Sequence, residues 1–137
     1  MIVKATLTNL STFEGLPVLW NPASYGVSRR NRFAAPALVG SGLSPVQHSA
    51  GGSARFSTRL FLDSTEKTGA ERDLRQLVER LESWSEPEKG HHLPPLVVFG
   101  WGAFRFRGYI EELREEWIRF DADGTPVRAW LDLTLRR

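Results

Sequence analysis

EELREEWIRFDADGTPVRAWLDLTLRR, residues 111–137, admits two readings at its start and one at its end. Ile110, Leu113 and Trp117 fall at helical spacing and glutamate is a good helix former, so the first ten residues alone are compatible with a helix. The continuation decides otherwise. Asp121-Ala122-Asp123-Gly124 is a hairpin-turn sequence, and after it Val127, Ala129, Leu131, Leu133 and Leu135 alternate without a break with Arg128, Trp130, Asp132 and Thr134. A hairpin turn joins two strands, so the residues before it are read as a strand too.

Upstream, HHLPPLVVFGWGAFRFRGYI (91–110) reads as a strand from Leu96 to Trp101, a Gly-Ala turn, and a strand with Phe104, Phe106 and Ile110 on one face. ARFSTRLFLD (54–63) alternates Phe56, Thr58, Leu60 and Leu62 with Arg55, Ser57, Arg59 and Phe61, a further strand. Between these lies one helix. Thr68 and Glu71 have the spacing of a capping box, and Leu74, Leu77, Val78, Leu81 and Trp84 then recur at helical intervals, an apolar stripe made to lie on a sheet. Val3, Ala5 and Leu7 mark a first strand ending near Asn9. From Leu16 to Phe33 the sequence reads as a strand into Trp20, a turn at Asn21 and Pro22, and a strand through Tyr25 and Val27, a hairpin-like pair. Ala34 to Ser53 is rich in Ala, Gly, Ser and Pro and is expected to be a flexible loop or arm. The sum is six to eight strands and one helix, an α+β, mostly β fold in a single domain spanning 1–137.

The 137 residues carry 18 basic and 16 acidic side chains, a formal charge of +2, which gives no broad field of the kind that gathers nucleic acid or anionic lipid. Fifteen of the 18 basic residues are arginine, which suits either interfacial pairing or a GC-rich coding bias. The absence of cysteine excludes disulfides, thiolate zinc sites and cysteine nucleophiles. No charged leader precedes a long apolar stretch, and no apolar run reaches the roughly 18 residues of a membrane span. A cytoplasmic protein with no membrane partner is the expectation.

Catalytic constellations find little material. His91 and His92 are adjacent, so on a strand they would face opposite ways, and no carboxylate stands at metal-ligand spacing; His48 falls in the expected loop. No serine sits in a G-x-S-x-G elbow. Glu111, Glu112, Glu115 and Glu116 are interleaved with Arg114 and Arg119 as on a solvated strand face. The Gly-Trp-Gly at 100–102 lacks the remainder of any phosphate-binding loop. FRFR at 104–107 interleaves rings and cations, but strand alternation sends Phe104 and Phe106 to one face and Arg105 and Arg107 to the other, which favours a core strand over a nucleic-acid platform. No cofactor, metal or catalytic residue is assigned.

In series, WNPASYGVSRRNRF, RLFLDS, HHLPPLVVFGWGAFRFRGYIEEL and FDADGTPVRAWLDLTLRR resemble the tube-like domain of contractile injection systems, found in a baseplate protein that often carries a LysM module downstream. The most specific pieces are Trp20, Asn21 and Pro22 followed by Tyr25; PPLVVFGWG leading to FRG, with Trp101, Phe104, Phe106 and Gly108; and the set Phe120, Gly124, Pro126, Arg128 and Ala129. The resemblance implies a phage tail-tube-like β-sandwich or barrel with one amphipathic helix on a sheet. It also implies a structural role: six copies in a ring with a central lumen, at the junction of inner tube and baseplate spike, with tube and baseplate proteins as partners. The residues quoted are then expected to serve packing and assembly, with Gly100, Gly102 and Gly108 allowing close backbone approach. The sequence stops at Arg137 with no LysM module, so carbohydrate binding is not carried over from the family. The competing expectations are a β-barrel that binds nucleic acid or oligosaccharide through its Arg-aromatic strands, and a small hydrolase.

Overall fold

The turn at 121–124 closes as its sequence predicts. Gly124 takes φ +88°, a value that disfavours any residue with a Cβ, and the Asp121 amide donates to the Thr125 carbonyl at 2.8 Å. In the computed structural model, which describes residues 3–17, 21–34 and 47–137, strands run away from this turn on both sides. In chain order the elements are β1 (Thr6–Asn9), β2 (Gly15–Pro17), β3 (Tyr25–Ala34), β4 (Gln47–Asp63), a 3₁₀ turn (Gly69–Arg72), α1 (Leu74–Ser83), β5 (Val97–Trp101), β6 (Phe104–Phe120) and β7 (Pro126–Arg136). The strand reading of 111–120 therefore holds.

All pairings are antiparallel, in the order β2-β1-β5-β6-β7-β4-β3. The organising strand is β6, which pairs with β5 through Phe104–Gly108 and with β7 through Tyr109–Phe120. A strand that changes partner along its length forms the corner between two halves of a sheet, and corners need bends. Two features supply the bend: the register shift between Ile110 and Glu112, and Gly108, whose missing Cβ would lie 2.7 Å from the Arg136 carbonyl oxygen. The sheet curls there into a sandwich.

Inside the curl, Phe56, Leu60 and Leu62 of β4, Ala129, Leu131, Leu133 and Leu135 of β7, Phe106 and Ile110 of β6 and Val97 and Phe99 of β5 form the core. Alternation along each strand puts these side chains on one face. Leu74, Val78 and Leu81 of α1 and Trp84, the residue that ends it, close the core, with Leu77 partly buried beside them. All three buried polar side chains among the described residues tie loops down. Asn9 accepts from the Ser11 amide at 2.8 Å, Thr58 donates to the Ser24 carbonyl at 2.8 Å, and Ser64 donates to the Arg72 carbonyl at 2.6 Å.

Three sequence expectations are corrected. Thr68 makes no side-chain cap; a 3₁₀ turn intervenes, entered through Gly69 at φ +67°, and Asp73 caps α1 by accepting from the Arg75 amide at 3.0 Å. The strands flanking Asn21 and Pro22 do not pair with each other. Instead each pairs with its other neighbour in the chain, β2 folding back on β1 and β3 on β4, at opposite ends of the sheet, so the turn at Asn21 and Pro22 is a connection between the two ends and not a hairpin. Within the expected arm from Ala34 to Ser53, Ala34 ends β3 and the residues from Gln47 on belong to β4, the two strands paired to each other. Ladder bonds come from the backbone, which Gly and Ser supply without apolar side chains. Residues 35–46 lie outside the described residues.

Candidate assembly surface

Tyr25 at the start of β3 stacks on Phe104 at the start of β6, ring centroids 4.4 Å apart. Behind this pair Phe56 lies 4.6 Å from Phe99 and 5.6 Å from Phe106, and Trp101 is 6.3 Å from Tyr25. One seam of six rings thus joins β3, β4, β5 and β6. It gathers Tyr25, Trp101, Phe104 and Phe106, all quoted from the sequence, around Phe56, which was legible as a strand-face residue, and Phe99, which the sequence placed only within a strand. The seam is graded in exposure: Phe56 and Phe99 are fully buried, Phe104 and Trp101 half-buried, and Tyr25 41% exposed. Rings at its outer end remain available to a neighbour.

Asn21 and Trp101 converge on one backbone carbonyl. The Asn21 side-chain amide and the Trp101 indole each donate to the Val3 oxygen at 3.0 Å, while Asn21 Oδ1 accepts from the Ala5 amide at 2.9 Å. Asn21 thereby pairs with the segment before β1 as a neighbouring strand would, and Pro22, buried beside it, holds the backbone for that reach. Trp20 lies outside the described residues.

At the opposite end of the sheet the residues of the last motif separate into different jobs. Gly124 forms the turn, Pro126 is buried opposite Phe120, and Ala129 is fully buried between Leu62 and Trp117. Arg128 is held at 3.0 Å from Asp63. Burial pushes the Asp63 carboxyl up, but the Thr65 amide and hydroxyl together with Arg128 outweigh it and hold it low. Phe120 itself is 54% exposed. Near it Arg72 forms a bidentate pair with Asp121 at 2.7 and 2.8 Å and donates to the Thr65 carbonyl, fastening the approach to α1 onto the β6–β7 turn.

The face of β4, β7 and β6 turned away from the core carries ion pairs around the Phe61 and Trp130 rings, which lie 4.9 Å apart. Arg55 meets Glu111 at 2.8 Å, and Arg59 meets Glu116 at 3.2 Å and Asp132 at 3.4 Å while lying 4.4 Å above the Trp130 ring. This arrangement absorbs Glu111 and Glu116 as ion-pair partners. His91 and His92 are exposed on the loop before β5, and among the described residues no three His, Asp or Glu side chains are grouped to hold a metal ion. Two strands, β2 and β3, end the sheet with only one neighbour each among the described residues.

A curled antiparallel sheet whose two terminal strands each have a single neighbour among the described residues has the features of an assembling subunit, and the comparison with known families agrees. The family model described as contractile injection system tube protein matches residues 2–137. The chain belongs to that family. No curated protein matches it. As a contractile injection system tube protein it has a structural role in such a particle and assembles there with other tube components. Among the described residues no helix of this tube protein is long and apolar enough to cross a membrane.

Proposed function

We propose that six copies of this tube protein close into a ring around a lumen, at the junction of the inner tube and the baseplate spike, in a role that is structural and not catalytic. The observation that carries this reading is that β2 and β3, at the two ends of one continuous sheet, each have a single partner strand among the described residues. An uncovered edge offers unpaired backbone donors and acceptors, and a subunit with a different edge at each end favours head-to-tail contacts, which close when the rotation allows. Tyr25, Phe104 and Phe120 supply exposed or half-buried aromatic area for packing between subunits. The partners are further copies, the inner tube and baseplate proteins, assembled in the cytoplasm into a particle that can be released. Nucleic acid is not part of the proposal, a reading supported by the 104–107 segment, where Phe106 faces the core while Arg105 and Arg107 face solvent and so share no platform with it.

Native mass spectrometry of the purified chain over a wide concentration range tests the proposal. A species of six copies is expected to grow with concentration. A chain that stays monomeric throughout, both alone and with its tube partners, contradicts it.

A further inference from the structure

Between α1 and the end of β6 runs a groove of about 320 Å³ whose floor is apolar, with Val78, Trp117 and Phe120, and whose rim carries Glu79, Glu82 and Glu115. None of these three carboxylates has a cation within salt-bridge distance among the described residues. The one guanidinium at the groove, Arg75, is held 2.9 Å from Asp73, the residue that caps α1. Loss of hydration at the groove and the neighbouring Glu82 carboxylate push the otherwise exposed Glu115 up, against a smaller downward pull from the Trp117 indole, as expected where like charges meet without a counter-charge. The groove is built for a cationic group carried on an apolar stem.

The same chain has such groups where it cannot use them itself. Arg29 and Arg30 are consecutive and exposed on β3, a terminal strand of the sheet, beside a register shift between Arg30 and Arg32. Neither has a carboxylate within salt-bridge distance among the described residues. They pair with Ala54 and Ser53, next to the Arg55 end of β4, whereas the β7 residues near the groove pair with the Asp63 end. The eight residue steps from Arg55 to Asp63 place the two features about 26 Å apart along the strands, at ~3.3 Å per step. Arginine suits a groove of this kind better than lysine because its guanidinium is weakly hydrated and can lie on Trp117 while bonding a carboxylate.

We infer that the carboxylate-rimmed groove between α1 and β6 receives the Arg29–Arg30 segment of a second copy, so that each ring contact joins the acidic end of one subunit to the basic edge of the next. This rests on the ring reading above and assigns it one contact. Because donor and receptor lie on different parts of the surface, the contact is heterologous and repeats around a closed ring.

Two charge-reversed full-length chains test it, one carrying Glu82→Arg with Glu115→Arg, the other Arg29→Glu with Arg30→Glu. All four positions are exposed, so folding is expected to survive and is checked by circular dichroism and melting; Glu82→Gln with Glu115→Gln gives a milder version. Each reversed chain alone should assemble about tenfold less readily or worse, and an equimolar mixture should recover rings of alternating composition, since every contact in the mixture is again complementary. Wild-type rings accompanied by equally good rings from each reversed chain overturn this contact and leave the ring reading intact. Loss of assembly without recovery on mixing also overturns it. A wild-type chain that forms no ring overturns both.

Discussion

The rings of Phe56 and Phe99 lie 4.6 Å apart although β6 and β7 stand between their strands in the sheet. In a flat sheet three strand spacings would separate them by about 14 Å. The contact therefore measures the curl, and both rings are fully buried. Phe56→Ala is expected to cost about 3–5 kcal/mol, since it opens a cavity where the two halves meet, and Phe56→Leu markedly less. Urea unfolding followed by circular dichroism reads both, and a loss under about 1 kcal/mol for the alanine variant would show that the halves do not depend on this contact.

Gly108 sits at the corner where β6 changes partner. A methyl group there meets the Arg136 carbonyl, backbone that cannot swing aside, whereas a methyl group at Gly26 has nothing nearer than the Ser57 hydroxyl at 3.9 Å. Gly108→Ala is accordingly expected to lower the melting temperature clearly and Gly26→Ala to leave it within a degree or two. Equal melting temperatures for the two variants contradict the close approach.

Trp101 is half-buried and holds the Val3 carbonyl through its indole, so the large loss expected of a core tryptophan does not apply in full. Trp101→Phe keeps a ring in the seam and removes one hydrogen bond, an expected cost of about 0.5–1.5 kcal/mol. Asn21→Ala removes the other donor to the same oxygen and the acceptor for the Ala5 amide. The two substitutions should be non-additive, because both release the same segment. Hydrogen exchange at the Ala5 amide is the direct readout: faster exchange in Asn21→Ala is expected, and unchanged exchange rejects the tie.

Acid titration separates two kinds of carboxylate. The hydrogen bond from Arg72 holds Asp121 below the ordinary carboxylate range against the opposing effect of burial, so its contribution to stability is present above the unfolded-state pKa and is lost as pH falls through the folded one. Glu115 is shifted upward, so its contribution is present below the unfolded-state pKa and lost as pH rises through the folded one. Melting curves between about pH 7 and pH 3 should show a shallower acid decline for Asp121→Asn than for the wild type. They should also show a higher melting temperature for Glu115→Gln at neutral pH than at acid pH, each relative to wild type. The reverse pattern for either variant refutes its assignment.

Alternation made β4, β6 and β7 readable, because a strand with one buried face writes its period into the side chains, and DADG fixed the β6–β7 partnership by being too short to join anything but neighbours. The helix stripe was readable for the same reason, though its start was not: Thr68 and Asp73 both offer a capping oxygen, and only the backbone at Gly69 decides between them. The partners of β2 and β3 were not readable, since each pairs with its other neighbour in the chain, β2 back onto β1 and β3 onto β4, while the Asn21-Pro22 turn signal points to the pair it separates. For the surface, Tyr25, Asn21, Trp101 and Gly108 were legible as a group through family resemblance, while their physical tasks needed coordinates. A tryptophan bonded to a carbonyl 98 residues away leaves no trace in its own neighbourhood.

A cryo-EM map of the assembled particle bears most directly on the proposed role. Six copies of this fold around a lumen, where the inner tube meets the baseplate, with β3 of each copy against its neighbour, is the predicted result. A particle map in which this chain is missing from tube and baseplate, or is present without sixfold symmetry, would contradict it.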